Sequence, residues 1–153
     1  MRRFLVGLVF GILSFAQQVV VPMPPGATNP AVTQETIKTT ICVSGFTTTI
    51  RPPSGIMSAQ KRASAKKLGI KDLSLGEWDH LISLQLGGAP NSPDNLWFQY
   101  YLPKPGAREK DVVEGYLKRQ VCSNKITLAE AQFEIVHNWL EIYNQNYANK
   151  KKK

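Results

Sequence analysis

Two adjacent residues in the middle of the chain, Asp79 and His80, are of the types that activate water and hold a divalent cation. A neutral histidine takes a proton from water efficiently because its reference pKa of about 6.5 lies near working pH. A carboxylate beside it can hold a divalent ion, which absorbs charge on a phosphoryl oxygen. The pair therefore predicts hydrolysis of a phosphodiester bond. The chain has only two histidines, and we take His80 as the candidate general base.

The residues around this pair predict a compact loop. Gly87 and Gly88 follow, and Asn95 begins the segment Asn-Leu-Trp. Neighbouring side chains on a strand point to opposite faces, so Asp79 and His80 share a cavity only if the backbone turns there. We expect a hairpin-like loop closed by the two glycines. The competing interpretation is that Asp79 and His80 only bond each other and cap a loop.

Two helices are predicted after this motif. The first, over 107–121, has apolar residues at every fourth position on one side and charged residues on its other faces, and Gly106 marks its start. The second opens at Thr127 with a capping box completed by Glu130, and its apolar stripe continues to Ile142. Both stripes are predicted to be core.

Upstream of the motif, the pattern predicts a short helix, a strand and a basic helix. Residues 33–40 fit a short helix, while 45–50 is rich in aromatic and β-branched residues, as in a strand. Ser58 is expected to cap a helix over 59–68 that ends at Gly69. One face of this helix could rest along a phosphate backbone, although an ordinary solvated face explains the same charges. The candidate nucleic-acid contacts are Lys61, Arg62, Lys66 and Lys67.

The first 16 residues have the pattern of a secretory signal peptide. Two arginines precede an apolar run that ends in small residues, so cleavage is predicted near Ala16. A membrane anchor is the weaker alternative because the run is shorter than the roughly 20 residues of a spanning helix. We therefore expect a secreted or periplasmic protein with no stable membrane association. The rest divides into a proline-rich leader, 17–30, one domain, 31–147, and a lysine-rich tail, 148–153.

The chain is basic, with a formal net charge of +8 over 153 residues. This balance favours an acidic partner such as nucleic acid, although part of the excess comes from the terminal lysine run. Cys42 and Cys122 are the only cysteines, and in a secreted chain they most simply form a disulfide. The competing interpretation, a zinc site on these cysteines, lacks the paired ligands at short spacing that structural zinc sites show.

These residues resemble the signature of the HNH endonuclease superfamily. That signature runs Asp-His, a hydrophobic segment, Gly-Gly and Asn-Leu, at a spacing close to the one in this chain. More narrowly, the chain looks like small secreted bacterial HNH-like proteins. The shared segments are Thr40-Ile41-Cys42, Arg51-Pro52-Pro53, Asp79 to Ile82, Asn95 to Trp97, Lys110-Asp111 to Glu114, and Leu128 to Gln132.

The resemblance implies an α+β fold around a ββα-metal core, in which a hairpin and a following helix hold one metal ion. It makes His80 the general base and Asn95 the residue that braces the loop and orients the histidine. Glu77 would brace the loop or support the ligands. The expected cofactor is one divalent ion, Mg²⁺ by preference, with Mn²⁺, Ni²⁺ and Zn²⁺ as alternatives. The implied metal ligands are Asp79, Asp111 and Glu114.

Two functions follow from the resemblance. The first is a metal-dependent endonuclease that hydrolyses the phosphodiester bonds of nucleic acid, with DNA the preferred substrate and RNA the alternative. The second is a catalytically inactive HNH scaffold that binds nucleic acid or an acidic envelope polymer. The first is the preferred interpretation, and departures from the family pattern keep the second open, since the zinc-knuckle cysteines are absent and Ser83 stands where proline is common.

Overall fold

The computed structural model of the protein describes residues 18–148, so the predicted signal peptide and most of the lysine-rich tail lie outside the described residues. Within that range the fold is α+β, as predicted, with five α-helices around a two-stranded antiparallel hairpin. The helices are α1 Phe46–Ile50, α2 Ser54–Leu68, α3 Ala107–Cys122, α4 Leu128–His137 and α5 Trp139–Asn146; the strands are β1 Gly76–His80 and β2 Leu96–Tyr100.

The hairpin lies between α2 and α3, and its two faces meet different helices. Trp78 pairs with Phe98 across the strands, and the Trp78 indole Nε1 donates a hydrogen bond of 3.3 Å to Gln60 of α2. Asp79 pairs with Trp97 and accepts a hydrogen bond from Lys110 of α3. Because side chains alternate along a strand, the apolar face is directed to α2 and the acidic face to α3.

The main hydrophobic core joins α3, α4 and α5 to the loop that follows β1. The predicted stripes of the two C-terminal segments supply most of it, which confirms them as core. A smaller cluster, formed by Ala65, Ile70 and Phe98, joins α2 to the hairpin. The buried members of the main core include Ile82, Leu86, Val113, Leu117, Val121, Leu128, Ala131 and Ile135.

The strand predicted over 45–50 is wrong, because these residues form helix α1. A strand needs a partner for its backbone, and in the described part of the chain β1 and β2 pair only with each other. The Thr49 hydroxyl instead bonds the Phe46 carbonyl at 2.7 Å within one helical turn. Threonine hydroxyls in a helix commonly adopt this geometry, in which the side chain bonds a carbonyl of the preceding turn.

The basic helix α2 begins earlier than predicted. Ser58 lies inside it and is not its cap, because the Pro53 carbonyl already accepts the first helical bonds, from Ile56 at 2.9 Å and Met57 at 3.2 Å. The end of the helix agrees with the prediction, since Gly69 has the left-handed φ of 73° that favours glycine.

Two further helices differ in length from their predictions. Residues 33–40 form turns with a single 3₁₀ turn at Ile37–Thr39. The predicted C-terminal helix is interrupted at Asn138, whose φ of −128° and ψ of 7° leave the helical region between α4 and α5. Its predicted start is confirmed, because Thr127 and Glu130 form the reciprocal hydrogen bonds of a capping box.

The disulfide between Cys42 and Cys122 is present, which confirms the predicted pairing and leaves neither sulfur for a zinc ion. It links the segment before α1 to the last residue of α3, 80 positions apart. Among the helices of residues 18–148, none combines the length and the apolar character needed to cross a bilayer.

The proline-rich segment packs against the loop between the strands. The backbone N–H groups of Gly26 and Ala27 donate to the Asp94 carbonyl at 2.7 and 3.1 Å, and Thr28 forms an isolated antiparallel bridge with Gly88. Part of the segment predicted as a leader is thus one wall of this loop.

Candidate active site

The loop between β1 and β2 depends on its two glycines for different reasons. Gly87 has a φ of 75°, which other residues adopt only with strain. Gly88 packs so closely that a Cβ atom there would lie 1.8 Å from the Ile82 carbonyl oxygen. The loop expected from this Gly-Gly pair is therefore compact because one glycine turns the chain and the other lets two backbone segments touch.

Asn95 holds this loop together through its buried amide. Its Oδ1 accepts the Ile82 N–H at 2.8 Å, and its Nδ2 donates to the carbonyls of Ile82 at 2.9 Å and Ala89 at 3.0 Å. Its own backbone carbonyl accepts the Leu81 N–H at 2.8 Å. Asn95 thus bonds to both ends of the loop that follows His80, in keeping with the bracing role that the family resemblance implies.

His80 is buried at the end of β1 and makes one directed hydrogen bond. Its Nε2 lies 2.9 Å from the Pro90 carbonyl oxygen. A carbonyl only accepts, so Nε2 carries a proton and the lone pair of the neutral ring lies on Nδ1. Burial lowers the pKa of His80, while the Pro90 bond and the Asp79 charge act in the opposite direction. The lowered pKa favours the neutral ring, in which Nδ1 is the basic nitrogen.

Asp79 and His80 line the same polar cavity, of about 270 Å³, at the end of the hairpin. The chain leaves the extended conformation at Leu81, so these neighbours share the cavity even though strand residues alternate in direction. Three further acidic residues, one from β1 and two from α3, also line this cavity. The remaining lining residues include Arg51, Glu77, Ser83, Gln85, Asp111 and Glu114.

A buried lysine lies where the predicted metal ligands converge. The Lys110 side chain is 0% exposed, and its Nζ donates to Asp79 Oδ2 at 2.9 Å, Glu114 Oε1 at 2.5 Å and the His80 carbonyl at 2.8 Å. Burial alone would lower the pKa of Lys110, but the two carboxylates outweigh it and raise the pKa. The ammonium is therefore charged and uses all three of its protons within the protein.

The sequence contains a pattern that indicates burial of this lysine, although the apolar residues of the stripe alone do not show it. Lys110 and Glu114 lie seven residues before Leu117 and Val121, and this spacing places all four on one side of α3. An ion pair four residues apart at the start of an apolar stripe is the pattern of a buried pair. The expectation that these charged residues lie on other faces is wrong for Lys110 and Glu114, because both are buried.

The acidic residues that line the cavity lie close enough to repel one another electrostatically. Burial, with added repulsion from Glu77 and Asp79, raises the pKa of Asp111 to about 6. Burial followed by the Asp79 charge also raises the pKa of Glu77, against a hydrogen bond of 3.4 Å from the Tyr101 hydroxyl. Four carboxyl groups face one buried ammonium and one guanidinium, so the formal balance when all are ionised is two negative charges.

The cavity supplies the oxygen donors that a hard divalent ion prefers. Two of the predicted ligands, Asp79 and Glu114, are bridged by Lys110, and only Asp111 of the predicted set has no bond to that lysine. Within residues 18–148, no group of three or more His, Cys, Asp or Glu side chains is arranged to hold a metal ion. The donors therefore fit a cation by type and charge, without forming a preassembled cage.

The four basic residues predicted to bind nucleic acid do not form one surface. The Lys61 ammonium is turned inward, where it donates to the carbonyls of Leu73 and Gly76, both at 2.7 Å. Arg62 and Lys66 are exposed, and Arg62 lies about 200° around the helix from the Gln60 side chain that contacts the hairpin. Lys67 lines a separate apolar groove of about 490 Å³ with Trp78 and Trp97.

We compared the chain with known proteins at three levels. No family model, no curated protein and no solved structure matches it. The resemblance to HNH endonucleases therefore stays a prediction, carried by its motif and by the geometry of the cavity.

Proposed function

We propose that the protein is a divalent-metal-dependent endonuclease that hydrolyses nucleic acid at the polar cavity, with His80 as general base. The observation that carries this proposal is the 2.9 Å contact between His80 Nε2 and the Pro90 carbonyl oxygen. The His80 Nε2–H is held by the Pro90 carbonyl, which leaves Nδ1 as the proton acceptor in a cavity lined by Asp79 and Asp111. The succession of β1, β2 and α3 around that cavity supports the ββα-metal expectation.

The side chains have separable tasks in this proposal. Nδ1 of His80 takes a proton from the attacking water, which contributes on the order of 10²–10⁴ in rate. Asn95 keeps the loop fixed, so the ring needs no reorganisation before the proton moves. Lys110 ties the Asp79 carboxylate and the His80 backbone to α3, and so fixes the base relative to the acids.

The metal would be held by Asp79 and Asp111, with support from Glu77. Glu114 is better explained as the partner of Lys110, because its side chain is 7% exposed whereas that of Asp79 is 16% exposed. When bound, a divalent ion supplies positive charge to the phosphoryl oxygens. The formal excess of two negative charges in the cavity supports a need for a bound cation. A phosphodiester is itself an anion and would otherwise be repelled.

Cleavage of supercoiled plasmid and of a labelled oligonucleotide tests this function. We expect the purified protein to cleave in Mg²⁺ or Mn²⁺ and to stop when EDTA is added. His80→Ala should lower the rate about 100-fold or more, because it removes the base. The matched control is His137→Ala, which alters the other histidine of the chain, an exposed residue on α4 that stacks on Phe133. Equal rates for the two variants, or full activity in EDTA, would contradict the proposal.

The Lys110 ammonium supports a second candidate, a scaffold that binds nucleic acid or an acidic envelope polymer without cutting it. A fixed cation between Asp79 and Glu114 neutralises part of the acid cluster without a metal. This candidate predicts salt-sensitive oligonucleotide binding that neither EDTA nor His80→Ala changes. It is rejected if the wild-type protein cleaves in Mg²⁺ and His80→Ala does not.

A further inference from the structure

The cavity has one cationic side chain on its lining, Arg51. This residue is exposed, and within the described residues its guanidinium makes no hydrogen bond or ion pair. The other nearby cation, Lys110, is fully buried and has its three donors occupied. A ligand that enters the cavity therefore meets the donors of Arg51 and none from Lys110.

The chain fixes the backbone of Arg51 while it leaves the side chain free. Pro52 disfavours the helical conformation for the residue before it, and Arg51 is extended, with φ of −67° and ψ of 129°. Its N–H donates to the Thr47 carbonyl at 3.1 Å as α1 ends, and Pro53 starts α2 two residues later. Arg51 is thus held between two helices beside the cavity.

We propose that Arg51 binds the phosphate of the substrate beside His80. This assignment rests on the proposed function. A guanidinium presents a planar fork of N–H donors that matches two oxygens of a phosphate, and it stays charged at any working pH. Four carboxyl groups lie around the same cavity, so this free cation offsets part of their repulsion of a phosphodiester. The contact is to the backbone of the nucleic acid and predicts no preference for base sequence.

Binding measured without catalysis tests this assignment. We would titrate a fluorescein-labelled oligonucleotide into the His80→Ala protein in Mg²⁺ over a series of salt concentrations, with and without Arg51→Ala. The expected result is about 10-fold weaker binding, and a slope of log K against log salt that is smaller by about 0.7 to 0.9, the value for one lost phosphate contact. Arg51→Lys should recover part of the affinity, because it restores the charge without the fork.

Lys125→Ala is the control, because it removes one positive charge from an exposed position after α3, outside the cavity and outside the predicted nucleic-acid contacts. Equal effects of Arg51→Ala and Lys125→Ala on the affinity and the slope would overturn the assignment, as would no effect of either. A thermal melt of each variant confirms folding, which Arg51→Ala should leave unchanged since the guanidinium bonds nothing in the described chain.

A cleavage assay separates this assignment from the proposed function. If the wild-type protein does not cleave in any divalent metal but Arg51→Ala weakens binding selectively, the nuclease proposal fails and Arg51 remains the phosphate contact. If the wild-type protein cleaves and Arg51→Ala behaves like Lys125→Ala in both assays, only the Arg51 assignment fails.

Discussion

At the scale of single residues, Lys110 shows how a charge can be part of a core. Its ammonium is removed from water and bonded to Asp79, Glu114 and the His80 carbonyl, so the cost of burying it is offset by complete pairing. The pairing also connects two particular secondary-structure elements. It joins the helix that carries two acids of the cavity to the strand that carries the candidate base.

Replacement of this lysine should therefore be costly. Lys110→Met keeps the side-chain length but leaves the buried Glu114 carboxylate without its cation, and we expect a loss of about 3–5 kcal/mol in the free energy of unfolding. Urea denaturation followed by circular dichroism measures it. Lys110→Met combined with Glu114→Gln should recover much of the loss, because both charges are then removed together. An unchanged urea midpoint for the single variant would show that the ion pair does not stabilise the fold.

The residues of the site differ in how well their sequence context predicts them. His80, Asn95 and the two glycines are neighbours in one local motif, and short-range geometry is sufficient to place them. Lys110 and Arg51 reach the cavity from other segments of the chain, so local pattern could not place them there. Long-range packing decides whether a charged side chain faces solvent or a cavity.

At the scale of elements, the loop after β1 is built around the close contact at Gly88. Gly88→Ala would place its Cβ 1.8 Å from the Ile82 carbonyl oxygen and 2.7 Å from Asn95 Nδ2, so the loop backbone must move. We expect a loss of about 1–3 kcal/mol in the free energy of unfolding, typical of overpacking. In the endonuclease proposal, the rate of cleavage should also fall because the Asn95 brace is displaced.

Gly55→Ala is the matched substitution. Gly55 lies near the start of α2, where a Cβ would meet nothing within 4 Å, and alanine is the better helix former there. This variant should be as stable as the wild type or more stable. A Gly88→Ala protein that melts at the same temperature as Gly55→Ala would contradict the close contact.

Secondary structure was predicted most accurately where a segment has both an apolar stripe and a residue that marks one end of a helix. The segment over 107–121 has both, and α3 agrees with its prediction to within one residue. The segment over 45–50 has β-branched residues but no partner strand among the described residues, and it forms helix α1. The missing information was the pairing partner, which no local propensity supplies.

At the scale of the whole molecule, the disulfide connects the segment before α1 to the end of α3. Cys42 precedes α1 and Cys122 ends α3, and the bond closes a loop of 80 positions. Closing a loop of this length restricts the unfolded chain by about 4 kcal/mol in the chain-entropy model. Composition and the number of cysteines were sufficient to predict it, because a chain with two cysteines allows one intramolecular pairing.

Removal of this bond should lower stability without changing the site. We expect the double variant Cys42→Ser with Cys122→Ser to lose about 2–5 kcal/mol in the free energy of unfolding, measured by urea denaturation. Treatment of the wild-type protein with a reductant should shift its midpoint towards that of the variant and leave the variant unaffected. A reductant that shifts both proteins equally would show that the disulfide is not the cause.

The contact between the proline-rich segment and the loop makes residues 26–28 a structural support of the candidate site. Removal of the predicted signal peptide near Ala16 would keep Gly26, Ala27 and Thr28, whose backbones pair with the loop that carries Asn95. A protease that cut beyond Thr28 would leave every residue of the cavity in the chain and yet remove the wall behind its loop. In the endonuclease proposal, a chain trimmed beyond Thr28 should therefore cleave more slowly, although no trimmed residue lines the polar cavity.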